Sequence, residues 1–188
     1  MLYSVVHSIL ASHTVKALSA GLFGGAGEKY YRLFFNFFGT LTLLPILAMP
    51  ALLPDQALYA VSAPWANVMR AIQVLALVML AVPVLQTGAF DFIGISQALG
   101  VAKKEEDKLV VNGLYKYVRH PIYTAGIVLL VFNPTMSQNS LALFISIIMY
   151  LIVGALFEER KLESFFGEDY TQYKKDTPFL IPWPRVRN

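Results

Sequence analysis

Cysteine is absent from the 188 residues, and charge is scarce: Asp, Glu, Lys and Arg together make up 14%. The first absence removes disulfide frameworks, thiolate metal sites and a cysteine nucleophile. The second removes the ordinary soluble domain, in which about a quarter of residues are charged. Hydrophobic residues make up 56% of the chain instead, and the mean hydropathy is +0.56. Internal repeats and low-complexity tracts are missing too, which disfavours a transporter built from related halves. The opening MLYSVVHSIL lacks the basic region and small-residue cleavage site of a removable signal peptide, so it is expected to belong to the mature fold. Gly21, Gly24, Gly25 and Gly27 follow no strand, so they read as a connector and not as a dinucleotide fingerprint. Histidine occurs three times; His7 and His13 are six residues apart and point to different helix faces, so no metal site is expected.

The chain does have long uncharged runs. Leu33 to Leu53 and Ala71 to Phe90 carry no charge, and neither do the 37 residues from Pro121 to Phe157. Each of the first two matches the roughly 20 apolar residues that cross a bilayer. The third is interrupted by Asn133, Pro134, Thr135, Met136, Ser137, Gln138, Asn139 and Ser140, a turn-forming cluster that predicts a hairpin of two helices. Leu2 to Phe23 is apolar apart from His7, His13 and Lys16 and is expected to span as well. The fold class predicted is therefore all-α: a polytopic integral membrane protein of about five transmembrane helices with a cytoplasmic amphipathic helix at its C-terminal end. One membrane domain, 1–188, is expected, divided into a three-helix half at 1–100 and a loop, hairpin and tail at 101–188.

Lys and Arg gather in short cytoplasmic loops. Lys103 to Arg119 holds five basic residues, and the tail holds Arg160, Lys161, Lys174, Lys175, Arg185 and Arg187. With five spans, these clusters and a loop around Lys29 and Arg32 fall on one side. The loops around Asp55 and Pro134, without Lys or Arg, fall on the other. This predicts a C-terminus in the cytoplasm, and a compact chain with no eukaryotic targeting signal is expected in a bacterial inner membrane. Contact with anionic headgroups explains the same clusters equally well.

Two stretches carry more than membrane patterning. The first runs DKLVVNGLYKYVRHPIYTAG from Asp107 to Gly126 and joins a polar loop to an apolar helix. Asn112-Gly113 marks a turn, and Pro121 suits a first helical turn. Arg119 and His120 would then lie beside the positive end of a helix, a cradle for a carboxylate or phosphate. Tyr115, Tyr117 and Tyr123 offer flat faces for an adenine ring or a sulfonium, or else form the interfacial aromatic belt. The second stretch is FEERKLESFFGEDYTQYKKDTPFLIPWP. Glu158 and Glu159 end an uncharged helix at the membrane boundary, where a carboxylate needs a partner such as Arg119 or a ligand amine. From there to about Lys175 the spacing of Leu162, Phe165, Phe166, Tyr170 and Tyr173 predicts an amphipathic helix.

At these residues the chain resembles the membrane methyltransferases that include isoprenylcysteine carboxyl methyltransferase and the phospholipid N-methyltransferases. The first block of matches is Leu109-Val110, Gly113, Tyr115, Arg119-His120-Pro121 and Tyr123. The second is Glu158-Glu159, Leu162, Phe166-Gly167, Tyr170, Tyr173 and Pro182. The resemblance implies S-adenosyl-L-methionine as cofactor, contacted by Leu109, Val110, Tyr115, His120, Pro121, Tyr123 and one of the two glutamates, Glu158 by register and Glu159 close behind. Where the prenylcysteine enzymes place a substrate-directed arginine one turn before that glutamate, this chain has Gly154, which argues against a carboxylate acceptor. The N-terminal half resembles a subgroup containing methanethiol S-methyltransferase and membrane proteins linked to denitrification. The matches there are His7-Ser8, Ala11-Ser12, Lys16, Tyr31-Arg32, Asn36, Phe90-Asp91-Phe92, Gly94 and Gln97.

A thiol reacts as its thiolate, so a base or a positive field near the methyl group would help. His7 is the candidate base, Asn36 and Asp91 are candidate positioning groups, and Arg119 joins the catalytic set. Helix packing is the alternative role for His7. The expected partners are membrane lipids and a small or lipophilic methyl acceptor, without nucleic acid. Two other readings compete: a nicotinamide-dependent membrane reductase of the sterol-reductase type, and a non-enzymatic carrier.

Overall fold

The computed structural model describes residues 2–87, 89–101 and 108–183. Lys103, Lys104, Arg185 and Arg187 of the basic clusters lie outside these residues, as do Asp107 and Pro184. The described residues form two compact units, one within Met1–Asp55 and Val84–Glu105, the other within Gln56–Pro83 and Glu106–Asn188.

In the first unit the expected N-terminal span is two helices, α1 (Leu2–Leu10) and α2 (His13–Phe23). The break falls at Ser12, whose hydroxyl donates to the Ile9 carbonyl at 2.6 Å and accepts the Val15 amide at 3.4 Å. Such local bonds compete with helix continuation and favour a cap. At about 1.5 Å per residue each piece rises roughly 14–17 Å, short of the roughly 30 Å hydrocarbon core. The chain reverses at Gly24, with φ of +57°, and enters α3 (Gly25–Leu52). The predicted loop around Lys29 and Arg32 is helical, because Gly24 takes the turn and Glu28 sits at the positive end of the new helix. The short helices α5 (Ala89–Ile93) and α6 (Ile95–Leu99) lie against α3. Between them Gly94, at φ +99°, approaches so closely that a Cβ would stand 2.7 Å from the Leu33 nitrogen.

The second unit holds β1 (Ala57–Ala60), most of α4 (Trp65–Thr87), a 3-10 turn (Gly113–Lys116), α7 (Pro121–Val131), β2 (Thr135–Ser137), α8 (Gln138–Phe166) and α9 (Glu168–Asp176). The predicted hairpin is α7 and α8. Its connection is not a simple turn: β2 pairs antiparallel with β1, Ala57 opposite Ser137 and Ala60 opposite Thr135. This pairing and a hydrogen bond from Gln73 of α4 to the Leu129 carbonyl tie residues 56–83 to the hairpin. Helix α8 runs on past the glutamates to Phe166, and Gly167 separates it from α9. The amphipathic segment predicted after Glu159 is therefore the end of one long helix followed by a short one.

Among the described residues three helices are long and apolar enough to cross a membrane: Gly25–Leu52, Trp65–Leu85 and Gln138–Phe166. Helix α7 is apolar but shorter. The molecule is an all-α membrane protein, and among the described residues three candidate spans are full-length, against about five expected.

Candidate cofactor site

Arg119-His120-Pro121 begins where the 3-10 turn ends and α7 starts. Pro121 occupies the first helical position and is fully buried, and His120 is the residue before it, in a non-helical conformation. A proline there forfeits no hydrogen bond and keeps the preceding residue out of the helix. The segment after α9 runs back across this corner. The Arg119 amide donates to the Pro178 carbonyl at 2.9 Å, and the Thr124 hydroxyl donates to the Leu180 carbonyl at 2.7 Å. Phe179 puts its ring edge-on to His120, with centroids 5.2 Å apart, and beneath the Arg119 guanidinium at 5.5 Å.

Arg119 is engaged inside the protein through Nε and Nη1. Its Nε donates to Glu159 Oε1 at 2.5 Å, and Nη1 donates to the carbonyls of Lys174 and Thr177 at 3.1 and 2.6 Å. Glu159 also lies 3.3 Å from His120 Nε2, accepts the Tyr170 hydroxyl at 3.5 Å and has Lys174 Nζ at 3.8 Å. The side chains of Arg119, His120 and Glu159 retain 10%, 4% and 9% of their exposure. Each ion is thereby paired and hydrogen-bonded, the condition under which buried charge is tolerated. Lys174 reaches on to Glu163 at 3.1 Å.

Glu158 sits differently. It accepts the Tyr123 hydroxyl at 2.7 Å, lies 3.8 Å from His120 Nδ1 and keeps 45% of its side chain exposed. His120 thus stands between the two carboxylates, with its ring stacked on Tyr123 at 5.4 Å. Burial lowers the His120 pKa below the usual imidazole value, against the upward pull of both glutamates. Tyr115 is half-buried in the 3-10 turn, and its carbonyl accepts the Tyr173 hydroxyl at 2.6 Å. Burial, followed by the Glu158 charge, raises the Tyr115 pKa. Tyr173 is pushed up to about 12 by burial, although Arg119 pulls the other way. Leu109 and Val110 lie on the extended approach to the turn, Leu109 partly buried and Val110 exposed.

The sequence-predicted residues Tyr115, Arg119, His120, Pro121, Tyr123, Glu158 and Glu159 thus converge at one end of α7 and α8. His7, Asn36 and Asp91 lie in the first unit. The His7 ring packs against Tyr3 and Phe35, with centroids 5.4 and 4.7 Å away, and over Gly39, where a Cβ would meet it at 3.2 Å. The Asn36 amide donates to the Phe92 and Ile93 carbonyls at 3.1 and 2.8 Å, and Arg32 donates to the Asp91 carbonyl at 3.3 Å. These bonds satisfy the carbonyl end of α5, which has too few residues to satisfy its own. Among the described residues no group of His, Asp and Glu could hold a metal ion.

Sequence reasoning missed Lys174, Thr177, Phe179 and Leu180. Asp176-Thr177-Pro178 signals only that a helix ends there, not that the following residues return to the Arg119 corner.

Residues 68–169, more than half of the chain, match the family described as phospholipid methyltransferase. The chain belongs to that family. Its family region takes in the α7–α8 hairpin with Tyr115, Arg119, His120, Tyr123 and both glutamates, while Tyr170 and Lys174 of α9 and the segment after it lie beyond. Methanethiol S-methyltransferase 1 of Bradyrhizobium diazoefficiens is 44% identical over 72 residues, 38% of this chain and 25% of that protein. Methanethiol S-methyltransferase of Pseudomonas deceptionensis is 32% identical over 96 residues, covering 50% of this chain and 37% of the relative. Protein-S-isoprenylcysteine O-methyltransferase of Schizosaccharomyces pombe is 31% identical over 122 residues, 53% and 50% of the two chains. The matched stretches span between a quarter and a half of these curated relatives. No solved structure matches the chain.

Proposed function

We propose that the chain is an S-adenosyl-L-methionine-dependent membrane methyltransferase acting on a small or lipophilic acceptor, with a thiol the leading candidate. The observation that carries this reading is the unequal treatment of two adjacent carboxylates. Glu159 is saturated by Arg119, His120, Tyr170 and Lys174, whereas Glu158 has one phenol donor and a half-open side chain. A carboxylate with spare acceptor capacity beside the Tyr115 and Tyr123 rings suits an ammonium or sulfonium group. The first-turn amides of α7 suit a ligand carboxylate. This donor and acceptor set fits the cofactor, whose sulfonium supplies an already activated methyl group.

The protein's task is then to align and to exclude water. Glu158 would hold the cofactor's amine, with Tyr123 and His120 fixing the carboxylate. Tyr115, Leu109 and Val110 would cover the ligand. Arg119, with its Nε and Nη1 committed to Glu159 and two carbonyls, acts as a positioning residue through Glu159 and His120. In the first unit His7 is the proposed acceptor-side base, while Asn36 and Asp91 brace α5 against α3. The names of the Bradyrhizobium and Pseudomonas relatives support a thiol acceptor.

Calorimetric titration of the detergent-purified protein with S-adenosylhomocysteine and with NADPH tests the reading. Binding of the first on the order of micromolar, lost in Glu158→Ala and absent for NADPH, is expected. Binding of NADPH alone would shift the assignment to a reductase, and binding of neither would overturn the cofactor site.

A further inference from the structure

Residues 177–180 follow α9 and lie beyond the family region, yet they fix the corner from which His120 projects. The Thr177 carbonyl accepts from Arg119 Nη1, the Pro178 carbonyl from the Arg119 amide and the Leu180 carbonyl from the Thr124 hydroxyl. The segment is thereby laid across His120, held on both sides of it in sequence. Phe179, in the middle of this strap, turns its ring onto the imidazole and under the Arg119 guanidinium.

His120 has few open sides. Tyr123 stacks on it with ring planes 17° apart, and Phe179 stands nearly perpendicular to it at 81°. Nε2 is 3.3 Å from Glu159 Oε1, within hydrogen-bonding distance of an acceptor, so the proton of a neutral ring belongs there. Nδ1 then turns its lone pair toward Glu158 Oε2 at 3.8 Å, with no proton between them. His120 is 5% exposed, whereas Phe179 is only half-buried. A ring that meets His120 on one side and the surroundings on the other screens the imidazole from water.

The carboxylates around His120 favour an imidazolium. Glu158 and Glu159 face it from α8, Tyr123 of α7 and Tyr170 of α9 donate to them, and Lys174 of α9 lies at Glu159; Arg119 opposes them from the neighbouring position. Burial outweighs the two glutamates and holds the His120 pKa below its ordinary value. Residues 177–180 carry no ionisable side chain, so Phe179 acts on this balance by excluding water and not by charge.

We propose that Phe179 is a positioning residue of the cofactor site: its ring keeps His120 dry and neutral, so that the Glu158 carboxylate is left for the ammonium or sulfonium of a ligand. With water admitted, His120 would take a proton from solvent at Nδ1 and donate it to Glu158. The imidazolium would then compete with the ligand cation for one carboxylate. The inference rests on the reading of Glu158 as the group that holds the cofactor's amine.

The test uses the full chain in detergent. Affinity for S-adenosylhomocysteine is measured by calorimetry between pH 8 and 6, each variant relative to wild type at the same pH, which cancels the ligand's own titration. The His120 ring resonance, identified by its loss in His120→Gln, is titrated over the same range by NMR on protein labelled in histidine. Phe179→Ala should lose about tenfold more affinity at pH 6 than at pH 8, the order of change that one linked proton produces per pH unit. Its His120 midpoint should rise toward the ordinary imidazole range. Phe179→Leu, which still excludes water, should recover most of that loss, and adding His120→Gln to Phe179→Ala should level the profile. A loss in Phe179→Ala that is equal at every pH, with the His120 midpoint unmoved, would show a packing role only and overturn the proposal. If Phe179→Ala does not fold, Phe179→Val is read by the same criteria. Absence of S-adenosylhomocysteine binding by the wild type would remove the cofactor reading alone; an unmoved midpoint would still overturn the screening by Phe179, and a raised one would still support it.

Discussion

Replacing Glu159 and replacing Glu158 should have opposite consequences, although the residues are adjacent. Glu159→Ala leaves the Arg119 guanidinium 10% exposed with its main counter-charge gone, and leaves His120 and Tyr170 without a shared acceptor. Removing one partner of a buried ion pair costs about 3–5 kcal/mol, so the unfolding equilibrium should move by about a hundredfold or more. Lys174 and the two carbonyls on Arg119 cannot replace a carboxylate, since one is a cation and the others are neutral. Glu158→Ala removes one hydrogen bond from a half-exposed group and should cost only about 1 kcal/mol. Ligand binding should reverse the order. Glu158→Ala keeps the fold and loses S-adenosylhomocysteine, whereas Glu159→Gln, which retains an acceptor for Arg119, recovers part of the stability and part of the binding. Reversible unfolding in mixed detergent and dodecyl sulfate micelles, read by circular dichroism, gives the stabilities. Equal stability losses in the two alanine variants, or a larger loss in Glu158→Ala, would refute the division of roles.

Three further outcomes follow from the same geometry. Because burial lowers the folded-state pKa of His120 below its unfolded value, the unfolded chain binds more protons in that window; stability should fall as pH drops from about 7 through 6, and His120→Gln should flatten the profile measured by the same unfolding assay. Gly94→Ala forces a Cβ to within 2.7 Å of the Leu33 nitrogen at a φ of +99° and should destabilise by about 1–3 kcal/mol, whereas Gly100→Ala, with open space around it, should cost less. Asn36→Ala should lower stability by about 1–2 kcal/mol through the two orphaned α5 carbonyls and leave S-adenosylhomocysteine affinity unchanged in calorimetry.

What the sequence makes legible is what depends on local pattern. The uncharged run from Pro121 to Phe157, with its polar interruption, reads directly as α7 and α8, and Arg119 as a partner for one of the two glutamates is the pair observed. The break at Ser12 is hidden because a lone serine in an apolar run is as compatible with a continuous helix as with a cap. The β1–β2 clasp is hidden because Ala57–Ala60 and Thr135–Ser137 are too short to show alternation and are 75 residues apart. Thr177 to Leu180 supplies carbonyls and a ring to Arg119, His120 and Thr124, and this return is hidden because long-range backbone acceptors leave no trace in residue type. Tyr31, Arg32, Asn36, Asp91, Gly94 and Gln97 stood out as a set. Packing occupies three of them: Arg32 and Asn36 cap α5, and Gly94 lets it approach α3.

The most direct test of the account is methyl transfer itself. Membranes containing the protein are incubated with S-adenosyl-L-methionine labelled in its methyl group and with methanethiol or a longer alkanethiol, and labelled volatile thioether is collected. The account predicts labelled thioether from the wild-type chain and loss to background with Glu158→Gln, with the variant still folded by circular dichroism. Undiminished transfer by Glu158→Gln would contradict the assignment of the site, and no transfer to any thiol, phospholipid or isoprenoid acceptor by a chain that binds S-adenosylhomocysteine would contradict the proposed activity.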